Sequence, residues 1–200
     1  MNRNGSFGQN QSPTFLDKIG RKLSNQKATK AFRSHTINCA ADIGCGYDAR
    51  LGRSLFARAD VLHLVDSAVH RTEGTTHEVI HEGTIPEILD QIMNESIDAI
   101  LLNNVLEHIE NPDLILNVLY QKLNHGGVLF INVPTWRGKS FLEMAAFKLK
   151  LAPEEEMNDH KFYYELETLW PLLRSAQFLP QNIKCKKHKF GLNLYAVCRK

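Results

Sequence analysis

Residues 38–48 read N-C-A-A-D-I-G-C-G-Y-D, and this stretch decides how the chain folds. A short apolar run ends in Asp42, followed by Ile43, Gly44, Cys45 and Gly46, and then by a helix-compatible segment from Ala49 to Arg58. The pattern is a strand, a glycine-rich turn and a helix start. Glycine has no Cβ and tolerates positive φ, so such a turn lets a ligand approach the backbone. The helix beyond it aims unpaired N–H groups at the same place. Two ligand classes use this geometry. G-C-G-Y-D-A fits the dinucleotide fingerprint G-x-G-x-x-G/A, and Asp66 follows at about the 20-residue spacing that fingerprint requires. Asp42, ahead of the first glycine, separates the two classes: its carboxylate repels a pyrophosphate and attracts a ligand carrying an ammonium and a sulfonium.

D-I-G-C-G resembles the first motif of the class I S-adenosylmethionine (SAM)-dependent methyltransferases, (D/E)-x-G-x-G-x-G. Asp42, Gly44 and Gly46 match, and position 48 is Asp where the motif has its third glycine. Asp48 either crowds the ribose or methionine end of the site or serves as N-cap of the following helix. Further on, Ser96 to Leu102 is an apolar run followed by N-N-V-L-E-H-I-E-N-P. This second stretch resembles small-molecule methyltransferases of the type 11 and type 23 kind. The resemblance implies a Rossmann-like α/β three-layer sandwich, its seven-stranded sheet mostly parallel with the last strand antiparallel. It implies SAM as cofactor, held by Asp42, Gly44, Cys45 and Gly46. It also implies Asp66 on the ribose, Ser67, Gly83 and Thr84 around the adenine, and Asn103 at the methionine end.

Length and composition agree with one such domain. Two hundred residues suit a single core that needs no disulfide or metal. The net charge of +2 gives no electrostatic footprint for nucleic acid. The four cysteines, at 39, 45, 185 and 198, form no C-x-x-C pair. With no signal-peptide pattern and no apolar run near the roughly 20 residues of a membrane span, free thiols in the cytoplasm are the expectation. The polar stretch 1–13 reads as a disordered tail, and the methyltransferase domain is expected over 14–200, beginning with a helix from Thr14 to Phe32.

His77 to His81 spells H-E-V-I-H, the zincin string. That motif works on a helix, where positions four apart share a face. Here Val79 and Ile80 are β-branched and glycines flank the segment, so a strand is expected. On a strand the two histidines stand about 13 Å apart, too far for one ion, so no metal site is assigned. Strands are also read at Ala59–Val65 and Val128–Val133, a helix at Pro112–Leu123 closed by Gly126 and Gly127, and a terminal hairpin at Ile183–His188 and Leu192–Cys198. Strands alternating with helices argue a parallel sheet, which binds ligands at the carboxyl ends of its strands. Asp42, Asp66, Gly83 and Asn103 all fall at such ends.

After Pro134, the sequence S-F-L-E from Ser140 to Glu143 reads as a capping box starting a helix. A helical insertion or lid is expected at about 138–162. His160 to Tyr164 resembles a His-x-x-x-Tyr segment that faces the substrate cavity in this family, which implies His160 as the candidate general base, its ordinary imidazole pKa suiting neutral pH, with pinning of the loop as the alternative. Tyr164 is the candidate acceptor-positioning group. The lysines from Lys184 to Lys189 read as a solvated edge-strand face. The expected activity is transfer of a methyl group from SAM to a small-molecule acceptor by in-line displacement. A non-enzymatic SAM- or nucleotide-binding module and an NAD(P)-dependent oxidoreductase stand as alternatives.

Overall fold

The apolar runs of the sequence become seven strands: β1 (Cys39–Ile43), β2 (Val61–Asp66), β3 (Glu78–Glu82), β4 (Ile97–Asn103), β5 (Leu123–Pro134), β6 (Ile183–His188) and β7 (Asn193–Arg199). The computed structural model describes residues 15–73, 75–143 and 161–200. The strands form one sheet in the order β3-β2-β1-β4-β5-β7-β6. β1 through β5 pair in parallel, and β7 is antiparallel to both β5 and β6. The last strand alone thus runs against the rest, as the sequence implied.

Helices cover both faces. α1 (Phe15–Phe32) and α2 (Arg50–Leu55) pack on one side, where Ala28, Phe32 and Phe56 meet Leu62, Leu64, Leu101 and Phe130. α3 (Pro112–Lys122) and α5 (Leu166–Ser175) pack on the other, where Leu116, Leu119, Leu169 and Leu173 meet Ile43, Ile100, Leu102 and Ile131. α4 (Trp136–Glu143) follows β5. Because both faces are covered, β4 carries an almost continuous apolar run, as buried parallel strands do.

Two helix boundaries differ from expectation. α4 begins at Trp136, not at Ser140. Thr135 caps it: its hydroxyl accepts from Gly138 N at 3.1 Å and donates to Gly191 O at 2.7 Å. The S-F-L-E string therefore lies within the helix. α3 stops at Lys122, and Gly126 and Gly127 already belong to β5, with Gly126 N donating to Lys200 O at 3.0 Å. The 1–13 tail, most of the expected 138–162 insertion and His160 lie outside the described residues. Among those described, no helix is long and apolar enough to cross a membrane.

Phe130 joins the helical layer to the sheet through Phe32, whose ring centroid is 6.2 Å away and which meets Phe56 edge-on at 5.2 Å. Phe130→Ala is expected to destabilise the fold by about 3–5 kcal/mol, the cost of a large unfilled cavity. Urea denaturation followed by circular dichroism measures it.

Candidate functional site

The strand order reverses at β1, which has β2 on one side and β4 on the other. Open α/β sheets bind ligands over the carboxyl ends at such a reversal. Here two chain segments meet closely. Gly44 has φ +69°, and a Cβ on it would lie 2.3 Å from Val105 Cγ2. Glycine is therefore needed both for the turn and for the contact between the chain leaving β1 and the chain leaving β4. Gly44 N and Cys45 N both donate to Val65 O, at 2.7 and 3.1 Å. Gly46, at φ +73°, donates its N–H to Asp66 Oδ2 at 2.8 Å. Asp66 Oδ1 accepts from Ser67 N at 2.8 Å and from Ser67 Oγ at 3.1 Å. A carboxylate has about four lone-pair positions, and these bonds use three of them. The remaining position can take a ligand hydroxyl.

Asp42 is 3% exposed and packs against the first turn of α2, where Gly52 N donates to its Oδ2 at 3.0 Å. A Cβ on Gly52 would sit 2.5 Å from that oxygen, so this glycine makes the room for the carboxylate. Burial pushes Asp42 up to about 7, the Gly52 N–H opposes the rise, and the charge of Asp66 adds to it. The Cys45 thiol is likewise pushed up, by burial first and then by Asp42 and Asp66. An acid held at the edge of ionisation answers strongly to a cation placed nearby.

Asp48 is not the N-cap. Ala49 occupies that position in a left-handed conformation, φ 47°, with no side-chain cap. The Asp48 carboxylate instead pairs with the exposed Arg50 at 2.7 Å. Arg53 secures this loop, donating to Asp48 O at 2.8 Å, to His70 O at 2.7 Å and to both oxygens of Glu78 at 3.0 and 2.9 Å.

Gly83 and Thr84 follow β3 directly. Gly83 N donates to Asp66 O at 3.0 Å, and Thr84 O accepts from Ile88 N at 2.9 Å. Thr84, Glu87, Ile88 and Gln91 line an open depression of about 470 Å³. Glu78 to His81 of H-E-V-I-H lie on β3, with His77 just ahead of it, so the segment is a strand as expected. His81 uses one ring nitrogen on His63, at 2.9 Å, and the other on Gln91 Oε1, at 3.1 Å. Among the described residues, no three potential ligands cluster for a metal.

A second polar group lies at the carboxyl ends of β4, β5 and β6. Asn103 ends β4 opposite Asn132 of β5. Asn132 Nδ2 donates to Asn104 Oδ1 at 2.7 Å and to Ser24 Oγ at 3.3 Å, and its Oδ1 lies 2.7 Å from His188 Nε2. Asn103 Oδ1, Glu107 Oε2 and His188 Nδ1 are buried without a hydrogen-bond partner among the described residues. Glu107 is 1% exposed, and burial pushes it up to about 8 against the pull of its own backbone N–H and of Lys189. At neutral pH it is chiefly a neutral acid. An aromatic rim follows β5: Trp136 lies 5.2 Å from Tyr163, and the Lys139 ammonium sits over both rings at 5.4 and 5.8 Å.

Tyr164 departs from its expected role. Its side chain belongs to the hydrophobic core at 3% exposed, and its hydroxyl donates to Leu106 O at 3.3 Å. Burial, then the charge of Glu107, raises its pKa. The phenol thus holds the turn after β4 and stays protonated. Asp42, Gly44, Cys45, Gly46, Asp66, Ser67, Gly83, Thr84 and Asn103 are brought to one end of the sheet. Gly52, Asn132 and His188 were not singled out from the sequence. Gly52 is a glycine inside a helix, which signals close approach. His188 ends the lysine-rich strand read as a solvated face, and no local signal marks its burial.

The site offers two acids and an unpartnered buried amide oxygen, a donor-poor set suited to ribose hydroxyls and a cationic ligand. The family model described as a methyltransferase domain matches residues 17–180. No curated protein matches by sequence. Several solved structures share the fold. A possible exported protein from Bordetella parapertussis aligns at TM-score 0.65 and 13% identity, covering 96% of this chain and 75% of that one. A SAM-dependent methyltransferase from Archaeoglobus fulgidus aligns at TM-score 0.57 and 14% identity, covering 93% of this chain and 100% of that one. The N-methyltransferase NodS from Bradyrhizobium japonicum WM9, solved with S-adenosylhomocysteine, aligns at 0.60 and 16% identity, covering 90% and 86%.

Gly44→Ala is expected to destabilise the protein by about 1–3 kcal/mol through overpacking and left-handed strain. Val105→Ala in the same chain relieves the overpacking and leaves the strain. A double-mutant cycle by urea denaturation separates the two parts.

Proposed function

This chain belongs to the class I SAM-dependent methyltransferase family, and we propose that it transfers a methyl group to a small-molecule acceptor. The observation that carries this reading is the convergence of Asp42, Asp66 and the unpartnered Asn103 Oδ1 on the point where the strand order reverses. The residues present fit the cofactor. Asp66 would take a ribose hydroxyl with its remaining lone pair, Ser67, Gly83 and Thr84 would border the adenine, and Asn103 Oδ1 would accept from the methionine ammonium. Asp42 would act on the cation through its charge. Bound SAM supplies a methyl group on a sulfonium, open to in-line attack by an acceptor lone pair. The chain's own part is to align the acceptor with that line. A small acceptor is favoured because the polar atoms at the ends of β4 and β6 are too deeply buried for a macromolecular surface to reach.

Asp66→Ala is expected to weaken SAM and S-adenosylhomocysteine by about ten- to a hundredfold, the scale of lost hydrogen bonds to a charged group. Isothermal titration calorimetry, with circular dichroism to confirm the fold and NADH as the control ligand, reads the result. Unchanged affinity overturns the site, and binding of NADH alone overturns the reaction class.

Asp42 links binding to pH and stability. Its folded value of about 7 lies above its ordinary 3.8, so the folded state keeps a proton that the unfolded chain gives up between those values. The ionised carboxylate therefore destabilises the fold increasingly from pH 4 to 7, and fully above that range. Asp42→Asn keeps an oxygen for Gly52 N and removes this cost. It is expected to stabilise the free protein at pH 8 by on the order of a few kcal/mol and to weaken SAM binding. In the parent chain, SAM affinity is expected to fall as pH drops from 8 to 6, by no more than about tenfold per pH unit for one linked proton. Thermal melts and calorimetry at both pH values check these outcomes.

A further inference from the structure

His188 ends β6 and is 8% exposed, and its two ring nitrogens have different surroundings. Nε2 lies 2.7 Å from Asn132 Oδ1. In this structure Asn132 turns its Nδ2 toward Asn104 Oδ1 and Ser24 Oγ and its oxygen toward the ring. An amide oxygen only accepts, so in this orientation of Asn132 the ring proton sits on Nε2. Nδ1 is then a bare lone pair, and it is buried without a partner among the described residues. Buried acceptors are nearly always satisfied, and an exception calls for an explanation.

The position of this lone pair supplies one. Asn132, which holds the ring, is the register partner of Asn103 at the carboxyl end of β4. His188 thus belongs to the cofactor end of the sheet, on the side away from Asp66. The groups facing it are Lys189, Lys27 and the edge-on ring of Tyr195 at 5.4 Å. We propose that His188 Nδ1 receives the hydrogen bond of a hydroxyl group on the methyl acceptor, with Asn132 and Asn104 as positioning residues. The methylated atom is then oxygen. This rests on the methyltransferase reading above.

The charges favour oxygen over nitrogen. An amine arrives at neutral pH as an ammonium, which Lys27 and Lys189 repel, and it must lose a proton before it has a lone pair to donate. Burial, then Lys189 and Lys27, lowers His188 to about 4, too weak a base for that task. A hydroxyl keeps lone pairs while protonated. Its proton becomes strongly acidic as the oxygen bonds to carbon, so a weak base suffices. In the step, an oxygen lone pair forms the new O–C bond, and the pair of the broken S–C bond stays on sulfur as a neutral thioether. The pair of the O–H bond stays on oxygen, and the proton passes to Nδ1 and on to water.

The test uses the full chain labelled with 15N-histidine, with S-adenosylhomocysteine added, observed by long-range 1H–15N NMR. Phenol is the hydroxyl probe, methoxybenzene its counterpart without the O–H, and benzylamine the ammonium probe. The expected result is a His188 ring neutral at pH 7 with hydrogen on Nε2, and an Nδ1 resonance shifted by phenol alone. A ring with hydrogen on Nδ1, an Nδ1 that phenol does not move, or an equal response to methoxybenzene or benzylamine overturns the proposal. Calorimetric failure to bind S-adenosylhomocysteine would instead refute the methyltransferase reading, while the phenol response of the free protein still decides the role of Nδ1. Asn132→Asp gives a second arm. A carboxylate at Nε2 favours the imidazolium, so the ring is expected to be protonated at pH 7 and the phenol response lost. A role for His188 confined to packing would leave that response absent in the parent chain as well.

Discussion

The contact between Gly44 and Val105 is the constraint on which the rest of the site depends. The first lies just beyond β1 and the second just beyond β4, the two strands flanking the reversal of strand order. A Cβ at residue 44 would stand 2.3 Å from a Val105 methyl, so the two chains approach only because one of them has no side chain. That approach sets the spacing of β1 and β4 at their carboxyl ends. It also turns the next peptides so that Gly44 N and Cys45 N reach Val65 O and Gly46 N reaches Asp66. The ends of three strands are thereby tied together by one turn.

Around this frame, ionisable groups are held in states they would not adopt in water. Asp42 and Glu107 are both raised by burial, to about 7 and about 8, and His188 is lowered to about 4. Each shift disfavours the charged form in the free protein. Asp42 lies where a cation would reverse that preference. Glu107 and His188 lie where a neutral, hydrogen-bonding acceptor would leave it in place. The division matches a reaction whose one reactant is cationic and whose other is not, with the sheet separating the two environments along its carboxyl edge.

Much of this was legible in the chain. Asp42, Gly44, Gly46 and Asp66 could be placed from spacing, because a strand end, a glycine turn and a second strand end have short-range signatures. H-E-V-I-H could be assigned to a strand because β-branching and flanking glycines are local properties. The helix boundaries were less secure. Ser140 has the composition of a cap, but Thr135 lies nearer the end of β5 and its hydroxyl also reaches Gly191 on the following hairpin turn. Tyr164 was read as positioning the acceptor because its segment resembles one that faces the substrate in methyltransferases, yet its hydroxyl meets a carbonyl 58 residues earlier in the chain, in the core.

The sequence by itself determined the fold class, the order of strands and helices, and the acids and glycines that would meet a nucleoside cofactor. The alternation of strands and helices follows from periodicity, and the rest from short motifs and the family they resemble, all of them signals that act over a few residues. Only the tertiary structure decided which polar side chains are buried and which of their atoms are already taken. Asp48 turns to Arg50, Gly52 makes room for Asp42, and Asn132 fixes the imidazole of His188 from a strand 56 residues away. Burial and hydrogen-bond satisfaction depend on neighbours brought together by folding, and no local pattern around a residue records who those neighbours are.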